Sequence, residues 1–162
     1  MSLQEEVEAL GRVPLFERLD VAKLKILAFT SDRTTYAAGD YLCREGDAGD
    51  KAFVILDGKA QVWVNTNEGA LHVSNMGKHD VVGEISLLSD FPRTASVLAE
   101  TDLEVLILNE DVFLHMIQEF PSVGLELLRA LAAKLHVTTQ RLQEVANGQV
   151  AAVGNIETNS KH

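Results

Sequence analysis

The chain has 162 residues, and its 24 acidic and 14 basic side chains give a formal net charge of −10. A hydrophobic fraction of 46% with 23% charged residues is typical of one globular domain and unlike a disordered chain. This acidic composition, without a basic run, is unsuited to a nucleic-acid backbone, because Lys and Arg contacts to phosphates supply most of that affinity. We therefore expect a soluble domain with no nucleic-acid partner.

Cysteine content and the N-terminal sequence bear on the compartment. The single cysteine, Cys43, excludes an intrachain disulfide and a zinc site built from cysteines. Glu5, Glu6 and Glu8 make the N-terminus the opposite of the basic start of a signal peptide. No apolar run approaches the roughly 20 residues that a transmembrane helix needs. We expect a cytoplasmic protein without membrane insertion.

The first part of the chain has the spacing of helices. Apolar residues recur at intervals of three and four, which predicts N-terminal helices within residues 1–29. Pro14 separates two segments, and Asp20 is placed to cap the second.

Strands are predicted between residues 33 and 108, where the apolar period changes to two and turn residues recur. Asp57-Gly58 lies between two apolar runs and predicts a hairpin, because a type I′ turn needs positive φ at both central positions. Asn67-Glu68-Gly69 predicts a second hairpin. Several short strands at this spacing indicate a β-roll, jelly roll or barrel.

Helical spacing returns over residues 109–148. Pro121 interrupts the pattern at a position suited to the first turn of a second helix, and Gly148 suits the end of that helix. Residues 149–162 are small and polar, which predicts a flexible tail. The expected fold class is therefore α+β, with one domain over residues 1–148. An antiparallel β-roll would be flanked by N-terminal helices and two C-terminal helices.

The stretch VVGEISLLSDFPRTASV, residues 81–97, carries the most distinctive chemistry. Gly83 permits close approach of the backbone, and a helical turn after it would present free N–H groups that attract an anion. Arg93 follows a short loop later and can meet a phosphate with two hydrogen bonds. Glu84 is out of place beside an anion unless it accepts a hydrogen bond from a hydroxyl, such as a ribose 2′-hydroxyl. Together these residues describe a pocket for a small sugar phosphate.

This stretch resembles the phosphate-binding cassette of the cyclic nucleotide-binding domain family. In that cassette Gly-Glu precedes a short apolar segment and then Pro-Arg-(small)-Ala-(Ser/Thr)-Val. Upstream glycines, as in Gly39-Asp40 and Glu45-Gly46-Asp47, and apolar positions such as Phe53 and Ile55 also fit the β-roll of the family. The resemblance therefore covers about residues 10–145. It implies a cyclic nucleotide as ligand and no catalytic residue.

The resemblance also implies a role for each cassette position. Glu84 would accept the ribose 2′-hydroxyl, and Arg93 would bind the cyclic phosphate. The backbone N–H groups of Ile85 and Ser86 would cradle phosphate and ribose oxygens, and the following pair would close the phosphate side. The implied cassette residues are Gly83, Glu84, Ile85, Ser86, Arg93, Thr94 and Ala95.

The last helix resembles the long helix of bacterial cyclic AMP (cAMP) receptor proteins, in which a Val-Thr-Ser triplet contacts the adenine. Val137-Thr138-Thr139 matches that triplet with Thr in place of Ser, which implies base contacts by Thr138 and, from a second subunit, Thr139. Leucines recur every seven residues and predict a homodimer through the helix over 121–147. They are Leu128, Leu135 and Leu142. Two alternatives stay open: the leucines pack on their own β-roll, and the threonines are ordinary helix residues.

Ligand identity and context leave further alternatives. A Thr after the cassette Arg, as in Thr94, also occurs in members of the family that respond to cyclic GMP (cGMP). The chain ends about fifteen residues after the predicted last helix, so we do not expect a DNA-binding domain on it. A regulatory domain separated from a channel, kinase or transcription factor remains an alternative. So does an interaction scaffold that binds no nucleotide, although Glu84 and Arg93 argue against it.

Metal-dependent catalysis is not expected. His72 and His79 lie seven residues apart, which does not match the close His-x-His pair of metal-binding jelly-roll enzymes. The sequence therefore favours a non-enzymatic sensor with cAMP as its ligand, no metal, and a signal passed through the last helix to an effector protein or a second subunit.

Overall fold

The computed structural model describes residues 2–89 and 91–160. Within these residues five α-helices surround a β-roll, and a 3₁₀ turn over Pro14–Phe16 joins the first two helices. The helices are α1 (Leu3–Gly11), α2 (Val21–Thr30), α3 (Glu84–Leu88), α4 (Glu110–Glu119) and α5 (Pro121–Ser160). The strands are β1 (Asp32–Tyr36), β2 (Tyr41–Cys43), β3 (Lys51–Asp57), β4 (Ala60–Thr66), β5 (Gly69–Met76), β6 (Val81–Val82), β7 (Ser96–Ala99) and β8 (Leu103–Asn109).

Two four-stranded antiparallel sheets form the roll, in the orders β1-β8-β3-β6 and β2-β7-β4-β5. The predicted α+β class, with helices before and after a β-roll, is confirmed. Asp20 caps α2 as predicted, because its side chain accepts a hydrogen bond of 3.1 Å from the Lys23 backbone N–H. That hydrogen bond is the main reason why the pKa of the Asp20 carboxyl is lowered.

The hairpin predicted at Asp57-Gly58 is wrong. β3 pairs with β6 and β8, whereas β4 pairs with β5 and β7, so this turn carries the chain from one sheet to the other. β3 is buried at five consecutive residues, Ala52–Leu56, which suits the centre of a sheet covered on both faces. Gly58 has a φ of 101°, and a Cβ there would collide with the Asp102 carbonyl and approach Leu103 to 2.7 Å. The glycine therefore marks a close backbone approach, while the predicted hairpin at Asn67-Glu68-Gly69 is confirmed by the Thr66–Gly69 pair.

Two hydrophobic clusters position the site. One lies between the two sheets and includes Phe53, Val82 and Val97. The other joins the helices to the opposite face of the first sheet, and in it the rings of Phe16 and Phe113 pack with centroids 6.3 Å apart. The segment after β6 lies where these clusters meet, so its backbone is fixed from both sides.

Helix α5 continues past the predicted end at Gly148 and reaches Ser160. A single glycine costs a helix only about 1 kcal/mol relative to alanine, and no proline follows Pro121 to stop it. The first part of the helix packs in the core through Val123 and Leu127, which are 1% and 2% exposed. The flexibility expected of residues 149–162 stays a prediction. Within the part of the chain that is described, no helix has both the length and the apolar character that a bilayer span requires.

Candidate functional site

Gly83 connects β6 to α3 and is the N-cap of that short helix, with a φ of 89°. A Cβ at this position would overlap the guanidinium of Arg93 and lie 3.1 Å from the Lys51 carbonyl oxygen. Only glycine fits both the left-handed backbone and this contact. Leu87, which is 1% exposed, anchors the turn in the core, so the first residues of α3 face Arg93.

Arg93 is a buried cation with an unused donor. Its residue exposure is 7%, and its Nη2 donates a hydrogen bond of 2.6 Å to the Lys51 carbonyl, whereas its buried Nη1 has no hydrogen-bond partner among the described residues. The backbone of Arg93 is fixed by two hydrogen bonds of 2.8 Å, one to the Asp47 carbonyl and one from the Gly46 N–H. Because a buried donor without a partner is costly, this guanidinium is suited to an anion that accepts from Nη1.

Glu84 begins α3 and lines the same cavity as Arg93. Its side chain is 12% exposed and forms an ion pair with Lys134, whose side chain on α5 is 66% exposed. The Lys134 ammonium donates to Glu84 Oε1 across 50 positions of sequence. One carboxylate therefore faces both the cassette and the last helix.

Two cavities meet at Glu84. The cassette cavity has a volume of about 170 Å³ and is lined by residues that include Gly83, Glu84, Arg93, Thr94, Ala95 and Cys43. The helix cavity has a volume of about 440 Å³ and lies between the segment over 13–18, β6 and the part of α5 that carries Lys134, Val137, Thr138 and Arg141. Met76, Val81 and Glu84 line both cavities and so form their common boundary.

The sequence model of the cyclic nucleotide-binding domain matches residues 33–120, which is more than half of the chain. This chain belongs to the cyclic nucleotide-binding domain family. The match covers the β-roll, the cassette and α4, so the residues around Arg93 lie inside the family's own domain.

Individual relatives are regulatory proteins. A CRP-like cAMP-activated global transcriptional regulator of Mycobacterium tuberculosis is 26% identical over 139 residues, which is 85% of this chain and 62% of the regulator. This chain thus spans less than two thirds of that relative. The N-terminal domain of a transcriptional regulator from Streptomyces coelicolor has a TM-score of 0.73 and 34% identity, covering 80% of this chain and 94% of that one. The regulatory subunit of a cAMP-independent protein kinase A from Trypanosoma brucei has a TM-score of 0.69 and 26% identity, covering 82% and 46%.

The cyclic nucleotide-binding domain brings most of the predicted site residues together. Five of them line the cassette cavity, namely Gly83, Glu84, Arg93, Thr94 and Ala95. The backbone of Ile85 and Ser86 forms the start of α3, and their side chains lie outside the described part of the chain. Thr138 lines the helix cavity, whereas Thr139 lines neither of these two cavities in a single protomer.

Sequence reasoning missed Lys134 and Met76. Lys134 lies one helical turn before Thr138, so a search for side chains on the same helix face could have found it. Met76 ends the exposed strand β5, and nothing in its local sequence distinguishes it from any strand residue.

Cys43 is half-buried and lines the cassette cavity. Burial raises the pKa of its thiol, and the positive charge of Arg93 opposes this shift. The pKa of His79, on the wall of the helix cavity, is lowered by burial and then by Lys78. Among the described side chains, no three His, Cys, Asp or Glu residues converge as metal ligands would.

Proposed function

We propose that this domain is a non-enzymatic sensor that binds cAMP and relays its binding through α5 to an effector protein. The single observation that carries this proposal is the unpartnered Nη1 of Arg93, 7% exposed and facing Gly83 at the start of α3. A guanidinium fixed by the Lys51 carbonyl on one side leaves its other nitrogen for a phosphate oxygen. The family resemblance implies no catalytic residue, so such a site would bind its ligand and release it unchanged.

The phosphate and ribose would bind in the cassette cavity. Arg93 Nη1 would donate to a phosphate oxygen, and the N–H groups of Ile85 and Ser86 would donate to the oxygens nearest α3. Glu84 would accept from the ribose 2′-hydroxyl, which explains a carboxylate next to an anion site. Thr94 and Ala95 would close the cavity on the phosphate side, where both are part of its wall.

The base would extend past Glu84 into the helix cavity, and the hydrogen bonding of Thr138 favours adenine. The Thr138 hydroxyl donates a hydrogen bond of 2.9 Å to the Lys134 carbonyl of its own helix. With its proton engaged there, the oxygen can only accept a further hydrogen bond. Adenine presents an amino donor at its six-position, whereas guanine presents a carbonyl acceptor. We therefore propose cAMP as the preferred ligand.

The competing ligand is cGMP, and Thr94 is the residue that favours it. Thr94 lines the cassette cavity next to Arg93, where its hydroxyl could contact the guanine amino group if the base lies over the phosphate. The trypanosome relative described as cAMP-independent shows that a related fold does not by itself determine the ligand. A scaffold that binds no nucleotide would leave the buried Nη1 of Arg93 without a hydrogen-bond partner.

The partner surface is the exposed side of α5. Leu128, Leu135 and Leu142 are 64%, 66% and 66% exposed, so in this structure they do not pack on their own β-roll. We propose that a second copy of the chain covers this row and that both copies work in the cytoplasm. Thr139 would then reach the base bound by the other copy.

Isothermal titration of cAMP, and separately of cGMP, into nucleotide-stripped protein tests the function. We expect cAMP to bind at micromolar or tighter dissociation constants and more tightly than cGMP. Tighter binding of cGMP would still support a nucleotide sensor but would assign the selectivity between adenine and guanine to Thr94. The absence of heat with either ligand, in a sample that melts cooperatively, would contradict the sensor and favour the scaffold.

A further inference from the structure

The carboxylate that the proposed function assigns to the ribose is already engaged by α5. Lys134 Nζ donates to Glu84 Oε1, and the two residues form an ion pair between the last helix and the cassette. A 2′-hydroxyl that donates to Glu84 would therefore meet a carboxylate that already accepts a hydrogen bond from Lys134. Binding of the ribose at Glu84 therefore involves the ion pair between Glu84 and Lys134.

The ion pair is also a point of attachment for α5. The helix is anchored in the core through Val123 and Leu127, but no described side chain of α5 beyond Leu127 is buried. In that exposed stretch, Lys134 reaches Glu84 across the helix cavity of about 440 Å³. The position of this part of the helix therefore depends on whether the Glu84 carboxylate holds the ammonium.

The ion pair also lies where the two cavities meet. The cassette cavity of about 170 Å³ is smaller than the roughly 300 Å³ at which sites for drug-sized ligands begin. A nucleotide whose phosphate meets Arg93 must therefore extend beyond it. Glu84 lines both cavities and Lys134 lines the second, so a base in the helix cavity lies beside the ion pair.

We propose that Lys134 determines ribose specificity by competing with the ribose 2′-hydroxyl for the Glu84 carboxylate. While Lys134 holds Glu84 it ties α5 to the cassette, and the 2′-hydroxyl releases the helix by taking its place. This inference rests on the proposed function, because it needs the ribose at Glu84. Since Lys134 is 66% exposed, its hold is weak, and its removal changes affinity by only about two- to fivefold.

The matched control is Arg141, a second cation of α5 that lines the same helix cavity. Lys134→Gln and Arg141→Gln each remove one positive charge from the surroundings of an anionic ligand. Arg141→Gln therefore measures the effect of removing a cation that lines this cavity but forms no ion pair with Glu84 among the described residues. Both residues are exposed, so neither substitution disturbs the core.

Titration of cAMP and of 2′-deoxy-cAMP into the full chain and both variants tests the competition. Relative to Arg141→Gln, Lys134→Gln should bind cAMP about two- to fivefold more tightly and 2′-deoxy-cAMP equally well. The preference for the 2′-hydroxyl should therefore rise in Lys134→Gln. Weaker cAMP binding in Lys134→Gln than in Arg141→Gln would overturn the proposal and make Lys134 a contact that holds the ligand. An unchanged preference for cAMP over 2′-deoxy-cAMP would overturn the proposal as well.

Hydrogen exchange of α5 amides without nucleotide separates this proposal from the proposed function. Lys134→Gln should exchange faster than Arg141→Gln over residues 128–142, because the tie to Glu84 is lost. Equal exchange in the two variants would overturn the attachment even if the wild-type chain bound cAMP. If the wild-type chain bound no nucleotide, the proposed function would fail, and with it the ribose competition.

Discussion

Arg93 and Lys134 line the two cavities that meet at Glu84, and the two side chains are held in opposite ways. Arg93 is 7% exposed, with its backbone and one guanidinium nitrogen fixed by hydrogen bonds, whereas the Lys134 side chain is 66% exposed and has one partner. The cassette is thus arranged before any ligand arrives, while the exposed half of α5 can change position at little cost. A sensor needs both properties, because a ligand shifts an equilibrium only by its different affinity for two states.

The strongest test of the prearranged side is Arg93→Ala. We expect cAMP binding to weaken by about 30- to 1000-fold, or roughly 2–4 kcal/mol, because charge-assisted hydrogen bonds to the phosphate are lost. Titration calorimetry gives the dissociation constant. Arg129→Ala is the control, since Arg129 is a half-exposed arginine paired with Glu126 on α5. Equal affinities in the two variants would remove Arg93 from the site.

The adjustable side is tested by Leu135→Gln, which changes the exposed leucine row of α5. Burying a leucine is worth about 1.5–3 kcal/mol, and a symmetric dimer buries one from each copy. We therefore expect the dimer dissociation constant to rise by about 100-fold or more, with little effect on the stability of one protomer. Sedimentation velocity at micromolar concentration measures it.

Phe29→Gln is the matched control for this variant. Phe29 is 80% exposed but lies on α2, so its loss should leave association unchanged if α5 is the interface. A wild-type chain that sediments only as a monomer, with and without cAMP, would exclude the dimer.

The same contrast explains what the sequence could predict. Gly83, Glu84 and Arg93 lie within ten positions of one another, so these residues predicted a pocket for a small sugar phosphate, and the family resemblance supplied a role for each of them. The partner of β3 depends on residues far along the chain, so Asp57-Gly58 had the local signal of a hairpin but joins two sheets. Lys134 and Glu84 meet across 50 positions, and only the path of α5 brings them together.

The smallest expected effect is that of Thr138→Ala. Thr138 would connect the cassette and α5 through the bound base. The Thr138 oxygen donates its proton to the Lys134 carbonyl and is left to accept from the adenine amino group. Its loss should reduce the preference for cAMP over cGMP by about two- to tenfold, which is the usual range for one neutral hydrogen bond. Paired titrations of both nucleotides measure the ratio. Thr139→Ala is the companion variant, because Thr139 lines neither cavity within one protomer and would reach the base only from a second copy. An effect of Thr139→Ala alone would show that the base is read across a dimer interface, and an unchanged ratio in both variants would assign ligand selectivity to the roll.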